Sequence, residues 1–386
     1  MSISISNPLL IGILYPHSYH GKASCTATNY LMASKSHFYL NTLFILLLSI
    51  FCVKTSSSSL SDTETDYIRW VSWNVHNHQN RAMLRAKSTV QTPGAGGKLV
   101  LDGKLRRAEM NSVRVNVSQD GTGDFKTIRD AISSIPPNNT RRATGVSHQL
   151  LLAMTLPRFQ ETMEKPLRTY QSATVAVDAN YFVAINMKFE NTAPHVTGTR
   201  QEQAVALRIS GTKAAFYNCS FYGDQDTLYD HKGLHYFSNC FIQGSVDFIF
   251  GSGRSFYENC HLNSIAKKVA SLTAQKRSNS SLASGFSFKD STITGSGLIY
   301  LGRAWGDYSR VVFSYTYMDK IVLPPGWNDW GDHRRDSRVY YGEYKCSGPG
   351  ANLTGRVTWA RALTDEEAGP FIGAYYVEGD TWLISP

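Results

Sequence analysis

Two acidic and two amide side chains recur at spacings that would bring them together if the chain winds in coils of about 20 residues. They are Gln203, Gln225, Asp226 and Asp247. Two carboxylates held side by side cannot both ionise at low cost, so one serves as a proton donor while the other remains a nucleophile or base. Amide donors beside them suit the anionic oxygen that develops during acyl transfer. The pattern predicts a hydrolytic site; turn and ladder hydrogen bonds in a solenoid are the alternative interpretation.

The elements that must position this site are coils of a solenoid. Similar short segments begin at Asn186, Asn218, Asn239, Asn259 and Asp290, preceded by aromatic residues at Phe216, Phe237, Tyr257 and Phe288. The two central steps are 21 and 20 residues long, and helical periodicity is weak after residue 172. Such a repeat predicts an all-β fold, a parallel β-helix whose longer steps carry loop insertions. Asp226 and Asp247 are also 21 residues apart, so we expect them on neighbouring coils.

Three cysteines, Cys219, Cys240 and Cys260, occupy the same position in successive coils. A disulfide or a metal site is one interpretation, but His261 supplies only one neighbouring nitrogen ligand. Six cysteines in 386 residues do not make a disulfide framework. We therefore predict a ladder of small buried side chains.

The composition is that of a basic globular protein. The net charge is +9 with a pI near 9.1, hydrophobic residues make up 42% and charged residues 18%. This charge favours an acidic partner, although a soluble basic protein without such a partner has the same composition. A nucleic-acid partner is not expected, because the chain has no nucleic-acid motif and no Lys/Arg run interleaved with aromatic residues.

An apolar run at residues 38–53 resembles a secretory signal in type and length. Lys35 precedes it, a Ser/Thr-rich stretch follows, and it is shorter than the roughly 20 residues that span a membrane comfortably. A start at Met32 rather than Met1 would place the run correctly, so we interpret residues 1–55 as a leader. Secretion without stable membrane insertion is predicted, with a single-pass anchor as the alternative.

Residues 56–111 are polar and include a Pro-Gly-Ala-Gly-Gly stretch, which predicts a mobile N-terminal extension. Sequons suited to a secreted glycoprotein occur at Asn116, Asn138, Asn279 and Asn352. A further sequon at Asn218 lies on a predicted coil strand and is expected to stay unmodified.

A cation and an aromatic side chain on a later coil could complete the site. Arg303 beside a carboxylate would keep that carboxylate ionised. Trp305 follows two residues later and could stack on a sugar ring, with core packing as the alternative interpretation.

Several motifs together resemble the plant pectin methylesterases, or pectinesterases. The resemblance rests on 120–128, 191–194, Gln203-Ala-Val-Ala-Leu-Arg208, Gly223-Asp-Gln-Asp-Thr-Leu-Tyr-Asp-His231, Val246-Asp-Phe-Ile-Phe-Gly251, Leu301-Gly-Arg-Ala-Trp305 and 341–351. It assigns residues 112–386 to a pectinesterase domain and implies a right-handed, single-stranded parallel β-helix. The preceding segment is too short for the helical inhibitory pro-region of many plant members, so we expect a member without it.

The resemblance also implies a reaction: hydrolysis of the C6 methyl esters of galacturonate in pectin, giving a carboxylate and methanol. Asp247 is then the nucleophile, Asp226 the acid that protonates methanol and later the base, and Arg303 the partner that orients Asp247. Gln203 and Gln225 are the implied oxyanion donors. The implied substrate-binding residues are Gln203, Tyr229, Phe250, Arg303 and Trp305. No cofactor and no metal are implied. A monomer in the cell wall is expected, with a proteinaceous pectinesterase inhibitor as a second partner.

One segment departs from the family pattern. Between residues 141 and 171 a Gly-x-Tyr-x-Glu motif is absent and about 20 residues are missing, before Ser172-Ala-Thr-Val175 resumes the pattern. An error in the gene model is the preferred explanation, and genuine divergence is the alternative. A lost coil would leave unpaired strand edges and remove one wall of the substrate cleft, which would impair folding and activity.

Two other functions are weighed against this one. A polygalacturonase or a pectate lyase is also a β-helix, but the clustered Asp-Asp and His-Gly patterns of the former and the calcium-binding Asp cluster of the latter are absent. A catalytically impaired pectinesterase-like protein that binds the wall or an inhibitor is the second alternative. Release of methanol without chain scission separates the three.

Overall fold

The computed structural model describes the coils continuously from residue 169 onward, apart from residues 194–202. The described residues are 3–5, 68–80, 82–83, 113–116, 118, 121–126, 130–131, 134, 143–146, 150–154, 169–193 and 203–383. The signal-like run at 38–53 and most of the divergent segment at 141–171 lie outside them. Within the described ranges, no helix combines the length and the apolar character needed to cross a membrane.

Three parallel sheets run along the stack, and each coil contributes to them in a fixed order. The first sheet, here called the site sheet, contains β1 (Ile3–Ile5), β5 (Val175–Val177), β8 (Leu207–Ile209), β11 (Leu228–Asp230), β14 (Ile249–Gly251) and β21 (Trp327–Asn328). The second contains β6 (Val183–Ile185), β9 (Ala214–Tyr217), β12 (Leu234–Ser238), β15 (Arg254–Glu258), β17 (Gly285–Lys289), β19 (Arg310–Ser314), β22 (Tyr340–Tyr344) and β23 (Arg361–Ala362). The third contains β4 (Leu150–Met154), β7 (Met187–Asn191), β10 (Ser220–Tyr222), β13 (Phe241–Gly244) and β20 (Tyr317–Met318).

Two long strands, β16 (His261–Gln275) and β18 (Thr292–Arg303), pass without interruption from the third sheet into the site sheet. Strands β2 (Val113–Asn116) and β3 (Ala143–Val146) form a separate parallel pair. Within the coils, neighbouring strands are parallel and come from successive windings: Leu228 pairs with Leu207 on one side and Ile249 on the other. Parallel strands connected outside their sheet are right-handed in nearly all proteins. The prediction of an all-β, right-handed parallel β-helix is confirmed.

The corners between the second and third sheets carry the predicted asparagine repeat. Asn186, Asn218, Asn239, Asn259 and Asp290 all adopt left-handed backbone conformations, with φ between 49° and 56°. Asparagine and aspartate tolerate this region better than most residues. The side chains also bond along the stack, since the Asn218 amide donates to Asn186 Oδ1 at 2.6 Å and Asn259 donates to Asn239 in the same way. Each corner therefore turns the chain with one residue.

The interior is filled by ladders of equivalent residues. Rings of Phe216, Phe237, Tyr257, Phe288 and Phe313 stack with centroid separations of 4.5 to 4.7 Å. Such pairs contribute about 0.5–1.5 kcal/mol each beyond the burial of their area. The three central cysteines form the predicted ladder of free, buried side chains, and burial raises the pKa of the Cys219 and Cys240 thiols well above their usual range.

A layer of short helices covers the outer face of the second sheet. It contains a helix at 68–80, an α-helix at Asp365–Ala368 and 3-10 turns at Gly369–Phe371, Ala374–Val377 and Gly379–Thr381. Val71 is 1% exposed and packs in one cluster with Tyr376 and Trp382. Arg254 connects the helix at 68–80 to the 3-10 turns, because its guanidinium lies 4.4 Å from the centroid of the Trp70 ring and 2.8 Å from Glu378. The mobile extension predicted from sequence thus contains an ordered helix.

At the N-terminal end of the stack the sheets finish at different strands. Strand β6 ends the second sheet among the described residues, whereas β1 continues the site sheet beyond β5 and β4 continues the third sheet beyond β7. Residues 155–168 lie outside the described range. The loss of a coil in segment 141–171 therefore stays a prediction.

Candidate active site

The two aspartates lie at the corners where the chain leaves the third sheet and enters the site sheet. Asp226 precedes β11 with φ 63°, and Asp247 precedes β14 with φ 50°. Aspartate accepts this left-handed conformation because its short polar side chain can form local hydrogen bonds. The corner is also crowded, since a β-carbon on Gly244 would lie 2.7 Å from the carbonyl oxygen of Asp224. The tight turn fixes the backbone from which each carboxylate projects.

Backbone hydrogen bonds place the two aspartates on neighbouring coils. The Asp226 amide donates to the Val246 carbonyl at 3.0 Å, and the Asp247 amide donates to the Ser271 carbonyl at 2.7 Å. Asp226 is 8% exposed and Asp247 is 5% exposed. Since neighbouring parallel strands lie about 4.8 Å apart, the two carboxyl groups are close enough to influence each other's ionisation.

The two glutamines lie at the same edge of the site sheet. Gln203 and Gln225 form an isolated parallel bridge, and the Ala204 amide donates to the Gln225 carbonyl at 3.1 Å. Both side chains are half-buried, and Gln225 directly precedes Asp226. The four residues predicted to come together therefore occupy three consecutive coils at one edge, with Asp247 on the third.

Arg303 reaches Asp247 from the end of β18. Its Nε donates to Asp247 Oδ1 at 2.8 Å, and its Nη2 donates to Oδ2 at 2.5 Å. On its other side the guanidinium lies 3.8 Å from the centroid of the Trp330 ring. A two-point contact of this kind holds the carboxylate in one orientation and favours its ionised form.

The surroundings of the two carboxyl groups separate their pKa values. For Asp226, burial and then the charge of Asp247 raise the pKa well above its usual range, and Arg303 lowers it only in part. For Asp247, burial raises the pKa above its usual value, and the hydrogen bonds and charge of Arg303 offset only part of that rise. Asp226 is therefore the group that keeps its proton to higher pH, and Asp247 is the group that Arg303 keeps ionised.

Aromatic rings follow the aspartates along the outward face of the site sheet. Tyr229 stacks on Phe250 with centroids 4.4 Å apart, and Phe250 lies 6.0 Å from Trp305 at a tilted angle. Tyr229 is 8% and Phe250 only 2% exposed, whereas Trp305 is half-buried. Of the three aromatic residues expected to contact sugar, Trp305 has the most exposed ring, and Tyr229 and Phe250 form an apolar surface beside it.

Two residues of this surface were missed by the sequence analysis. The Tyr170 ring lies 3.8 Å from the Arg208 guanidinium and makes edge contacts with Tyr229 and His231. Arg208 is almost buried and pairs with Asp178 at 2.8 Å. Tyr170 lies in the divergent segment, where no family motif is recognisable, and Arg208 was quoted only as the last residue of the motif at 203–208, with no role assigned to it.

Asp224 and Asp230 flank the site in sequence and are predicted to be turn residues; for Asp230 this prediction is wrong. It is fully buried in β11, where Oδ1 lies 2.6 Å from His235 Nδ1 and Oδ2 accepts a hydrogen bond from the Tyr257 hydroxyl at 2.6 Å. The His235 Nε2 lies 2.9 Å from the Gly211 carbonyl. These polar groups satisfy one another in the interior and tie β11 to the second sheet. Asp224, the other flanking aspartate, does lie in a turn, where it accepts from Ser245.

Elsewhere in the described residues, one group of side chains has metal-ligand spacing. Asp329, His333 and Asp336 each place one ligand atom within 4.8 Å of the others. His333 Nδ1 lies 2.7 Å from Asp329 Oδ2 and the imidazole is 90% exposed, so a polar contact at the surface accounts for their proximity. The carboxylates, amides and guanidinium around Asp247 can carry out acyl transfer without a metal ion.

Known proteins similar to this chain share its sequence pattern. The Pectinesterase family profile matches residues 155–380. Putative pectinesterase 14 of Arabidopsis thaliana is 43% identical over 292 residues, which cover 70% of this chain and 88% of that protein. Pectinesterase QRT1 of the same plant is 38% identical, with 69% and 78% of the two chains covered.

Solved structures agree with the sequence comparison. The pectin methylesterase from carrot is 29% identical with a TM-score of 0.61, covering 70% of this chain and 97% of that chain. Pectin methylesterase PemA from Erwinia chrysanthemi is 25% identical with a TM-score of 0.59, covering 71% and 99%. Fold and site together define a β-helical carboxylic ester hydrolase. The chain belongs to the pectinesterase family.

Proposed function

We propose that this protein hydrolyses the C6 methyl esters of galacturonate in pectin, giving pectate and methanol. Family membership supports an esterase, and the solved relatives include a pectin methylesterase in complex with a hexasaccharide. The observation that carries the proposal is the pair of buried aspartates on neighbouring coils, one of them bound at two points by Arg303. One protonated and one ionised carboxyl group are what a two-step ester hydrolysis needs.

In the first step, an Asp247 carboxylate oxygen attacks the ester carbonyl carbon. Negative charge develops on the carbonyl oxygen, where the side-chain amides of Gln203 and Gln225 donate hydrogen bonds. The bond to the methoxy oxygen then breaks, and Asp226 transfers its proton to that oxygen. Methanol leaves, and the galacturonate is joined to Asp247 as an acyl anhydride.

In the second step, Asp226 is ionised and takes a proton from water. The resulting hydroxide attacks the galacturonyl carbon of the anhydride, and the bond to the Asp247 oxygen breaks. The products are the galacturonic acid group, which loses its remaining proton to solvent and becomes a carboxylate, the regenerated Asp247 carboxylate and a protonated Asp226. Arg303 neutralises the carboxylate charge on Asp247 before attack and after release. Trp305 stacks on a sugar ring, with Tyr229 and Phe250 beneath it.

Substitution of Asp247 by Asn tests the proposal. Asp247→Asn should lower methanol release from methylated pectin by at least about 10⁴-fold, because the nucleophile is lost. Asp290→Asn is the matched control, since Asp290 has a similar left-handed φ of 49° at a corner away from the site and asparagine occupies the equivalent corners. Substantial turnover by Asp247→Asn would remove it as the nucleophile. Binding of pectin without methanol release by the unaltered chain would favour an inactive wall-binding protein.

We further propose a secreted, glycosylated monomer of the cell wall that a proteinaceous pectinesterase inhibitor can bind. The apolar run at 38–53 supports secretion, and the sequons at Asn279 and Asn352 lie on exposed residues. Expression in plant cells tests secretion, and enzymatic deglycosylation of the product tests glycosylation. Size-exclusion chromatography with and without inhibitor tests the monomeric state and inhibitor binding. An intracellular, unglycosylated product would overturn the secretion proposal.

A further inference from the structure

One aromatic residue near the site has an unusual backbone conformation. Trp330 has a φ of 64°, which lies in the left-handed region that disfavours bulky side chains. Glycine adopts this conformation freely, so a tryptophan there carries strain that other contacts must offset. The side chain is 39% exposed, so burial of its apolar area supplies only part of that compensation. Strain of this kind beside an active site indicates a functional contact.

The local chain holds Trp330 over the end of β18. Asn328, the last residue of β21, pairs with Arg303 in the site sheet. The Asn328 side-chain oxygen accepts a hydrogen bond from the Trp330 backbone amide at 2.8 Å. Further along the chain, the Arg335 guanidinium donates to the Ala304 carbonyl at 2.6 Å. Both sides of the turn at Trp330 are therefore tied to Arg303 or to the residue that follows it.

The turn brings the Trp330 ring onto the Arg303 guanidinium. The ring centroid lies 3.8 Å from the guanidinium carbon, while two of the guanidinium nitrogens donate to Asp247. Every hydrogen bond that the Arg303 side chain makes with the described residues goes to Asp247. The Arg303 side chain is also 31% exposed, so water can reach it. The ring is therefore the main barrier that keeps the guanidinium from rotating towards solvent.

The ion pair of Arg356 shows how the protein holds an arginine elsewhere. Arg356 makes the same two-point contact with Glu343, but its side chain is nearly buried. Its guanidinium also donates to the Gly350 carbonyl at 2.6 Å, so a backbone acceptor helps to fix its position. At Arg303 an aromatic face takes the place of such acceptors. It attracts the cation without competing for the N–H donors that Asp247 uses.

We propose that Trp330 is a positioning residue that holds the Arg303 guanidinium against Asp247 during the reaction. This inference rests on the proposed esterase function, because it concerns the ion pair of the nucleophile. A guanidinium that is stacked on a ring loses less freedom when it binds the carboxylate, and water competes with it less. The left-handed backbone at Trp330 is the conformational cost of placing the ring there.

A double-mutant cycle between Trp330 and Arg303 tests this role. The kcat and KM for methanol release from methylated pectin are measured across pH for the unaltered chain, Trp330→Asn, Trp330→Tyr, Arg303→Gln and the double variant. Asparagine tolerates the left-handed conformation, so Trp330→Asn removes the ring without adding backbone strain. Circular dichroism and thermal unfolding check that each variant is folded.

Tyr315→Asn is the matched control for the loss of a strained aromatic residue. Tyr315 has a φ of 52° and is also 39% exposed. It lies at a corner between the second and third sheets, where its ring contacts Tyr344 and not Arg303. Its replacement should leave kcat and KM unchanged.

Trp330→Asn should lower kcat by about tenfold with little change in KM. The acidic limb of its pH–rate profile should move to higher pH, because a loosely held guanidinium keeps Asp247 ionised less firmly. Trp330→Tyr keeps an aromatic face and should stay within about threefold of the unaltered chain. In the Arg303→Gln background, Trp330→Asn should cost less than about twofold, since the ring then has no guanidinium to hold.

A tenfold loss that persists in the Arg303→Gln background would overturn the proposal, because the ring would then act independently of Arg303. A higher KM with an unchanged kcat would make Trp330 a direct contact of the polymer and would overturn it too. Unchanged kinetics of Trp330→Asn would have the same consequence. If Trp330→Asn does not fold, the cycle is measured with Trp330→Tyr, whose smaller loss should likewise disappear in Arg303→Gln. Failure of the esterase proposal looks different, because the unaltered chain would then release no methanol.

Discussion

The two kinds of corner in this solenoid have the same backbone conformation but serve different purposes. At the second-to-third corners, Asn239 and Asn259 are turned outward and bond to each other along the stack. At the third-to-site corners, Asp226 and Asp247 have similar positive φ values but are nearly buried, and Arg303 contacts one of them. The left-handed turn is therefore a structural device. Burial and a neighbouring cation turn an acidic corner residue into a reactive one.

The largest difference between the two kinds of corner is expected when the carboxyl group of Asp226 is removed. Asp226→Asn should lower kcat by about 10²- to 10⁴-fold, because asparagine cannot deliver a proton to methanol or take one from water. The backbone conformation suits asparagine equally well, so circular dichroism should be unchanged. Methanol release by stopped assay gives the measurement. A variant with more than a tenth of the original kcat would show that Asp226 transfers no proton in the slow step.

The contribution of the neighbouring cation is next in size. Arg303→Gln should lower kcat/KM by about 100-fold, since the ionised nucleophile loses its partner. The pKa of Asp247 should rise, and because attack requires the carboxylate, the acidic limb of the pH–rate profile should move to higher pH. An unmoved acidic limb would contradict the assigned role of Arg303.

Arg356→Gln provides the matched control for Arg303. Arg356 also makes a two-point contact with a carboxylate, with distances of 2.7 and 3.0 Å to the oxygens of buried Glu343, but outside the site. Its loss should cost about 3 kcal/mol of unfolding free energy and leave the kcat of the folded protein unchanged. Arg303→Gln should have the opposite pattern, because it lowers catalysis more than it lowers the free energy of unfolding.

A smaller effect concerns the pH dependence of stability. The pKa of Asp226 is higher in the folded protein than in the unfolded chain, so between these two values only the folded state holds the proton. The stabilising contribution of this group is fully present below the pKa of the unfolded chain. It is lost as the pH rises through the pKa of the folded protein. Asp226→Asn should therefore raise the free energy of unfolding by about 1 kcal/mol at neutral pH. Urea denaturation across pH measures the difference, which should vanish in acid; a more stable unaltered chain at pH 7 would contradict it.

The smallest effect is expected at the outward corners. Asn239→Asp keeps the acceptor for Asn259 and the tolerance for positive φ, so it should change stability by less than about 0.5 kcal/mol and leave activity intact. Asn239→Ala should cost about 1–2 kcal/mol, because alanine is strained in the left-handed region. Thermal unfolding distinguishes the two variants. A loss of activity in Asn239→Asp would break the separation between the two kinds of corner.

The features that could be predicted from the sequence are those that repeat from coil to coil. The spacing of the corner asparagines and of the ladder aromatics set the register of the coils, and that register placed Asp226 beside Asp247. The pairing of Arg303 with Asp247 was predicted from family resemblance, since 56 residues separate the two in sequence. Regular stacking makes such placement predictable, because each coil contacts mainly its neighbours.

What the sequence could not predict depends on contacts outside that repeat. The buried network around Asp230 involves His235 and Tyr257, which lie 5 and 27 residues from Asp230 and match no coil period. The helix at 68–80 lies in a polar segment, and its single buried Val71 gives too weak a periodic pattern to recognise. The Lys276 ammonium lies 4.0 Å from the centroid of the Trp305 ring, a contact between two residues that no repeat relates.

The outer layer on the second sheet has a consequence for how the protein is made. A solenoid can add windings one after another as synthesis proceeds, but Trp382 is made only after every described strand that it helps to cover, and it is 1% exposed in the finished fold. Until it arrives, the apolar flank that it shares with Tyr376 and Val71 stays open to water. The nascent chain thus carries an exposed apolar surface until Trp382 has been made. Truncation of the chain before Tyr376 would leave that surface permanently uncovered and the polypeptide prone to aggregate.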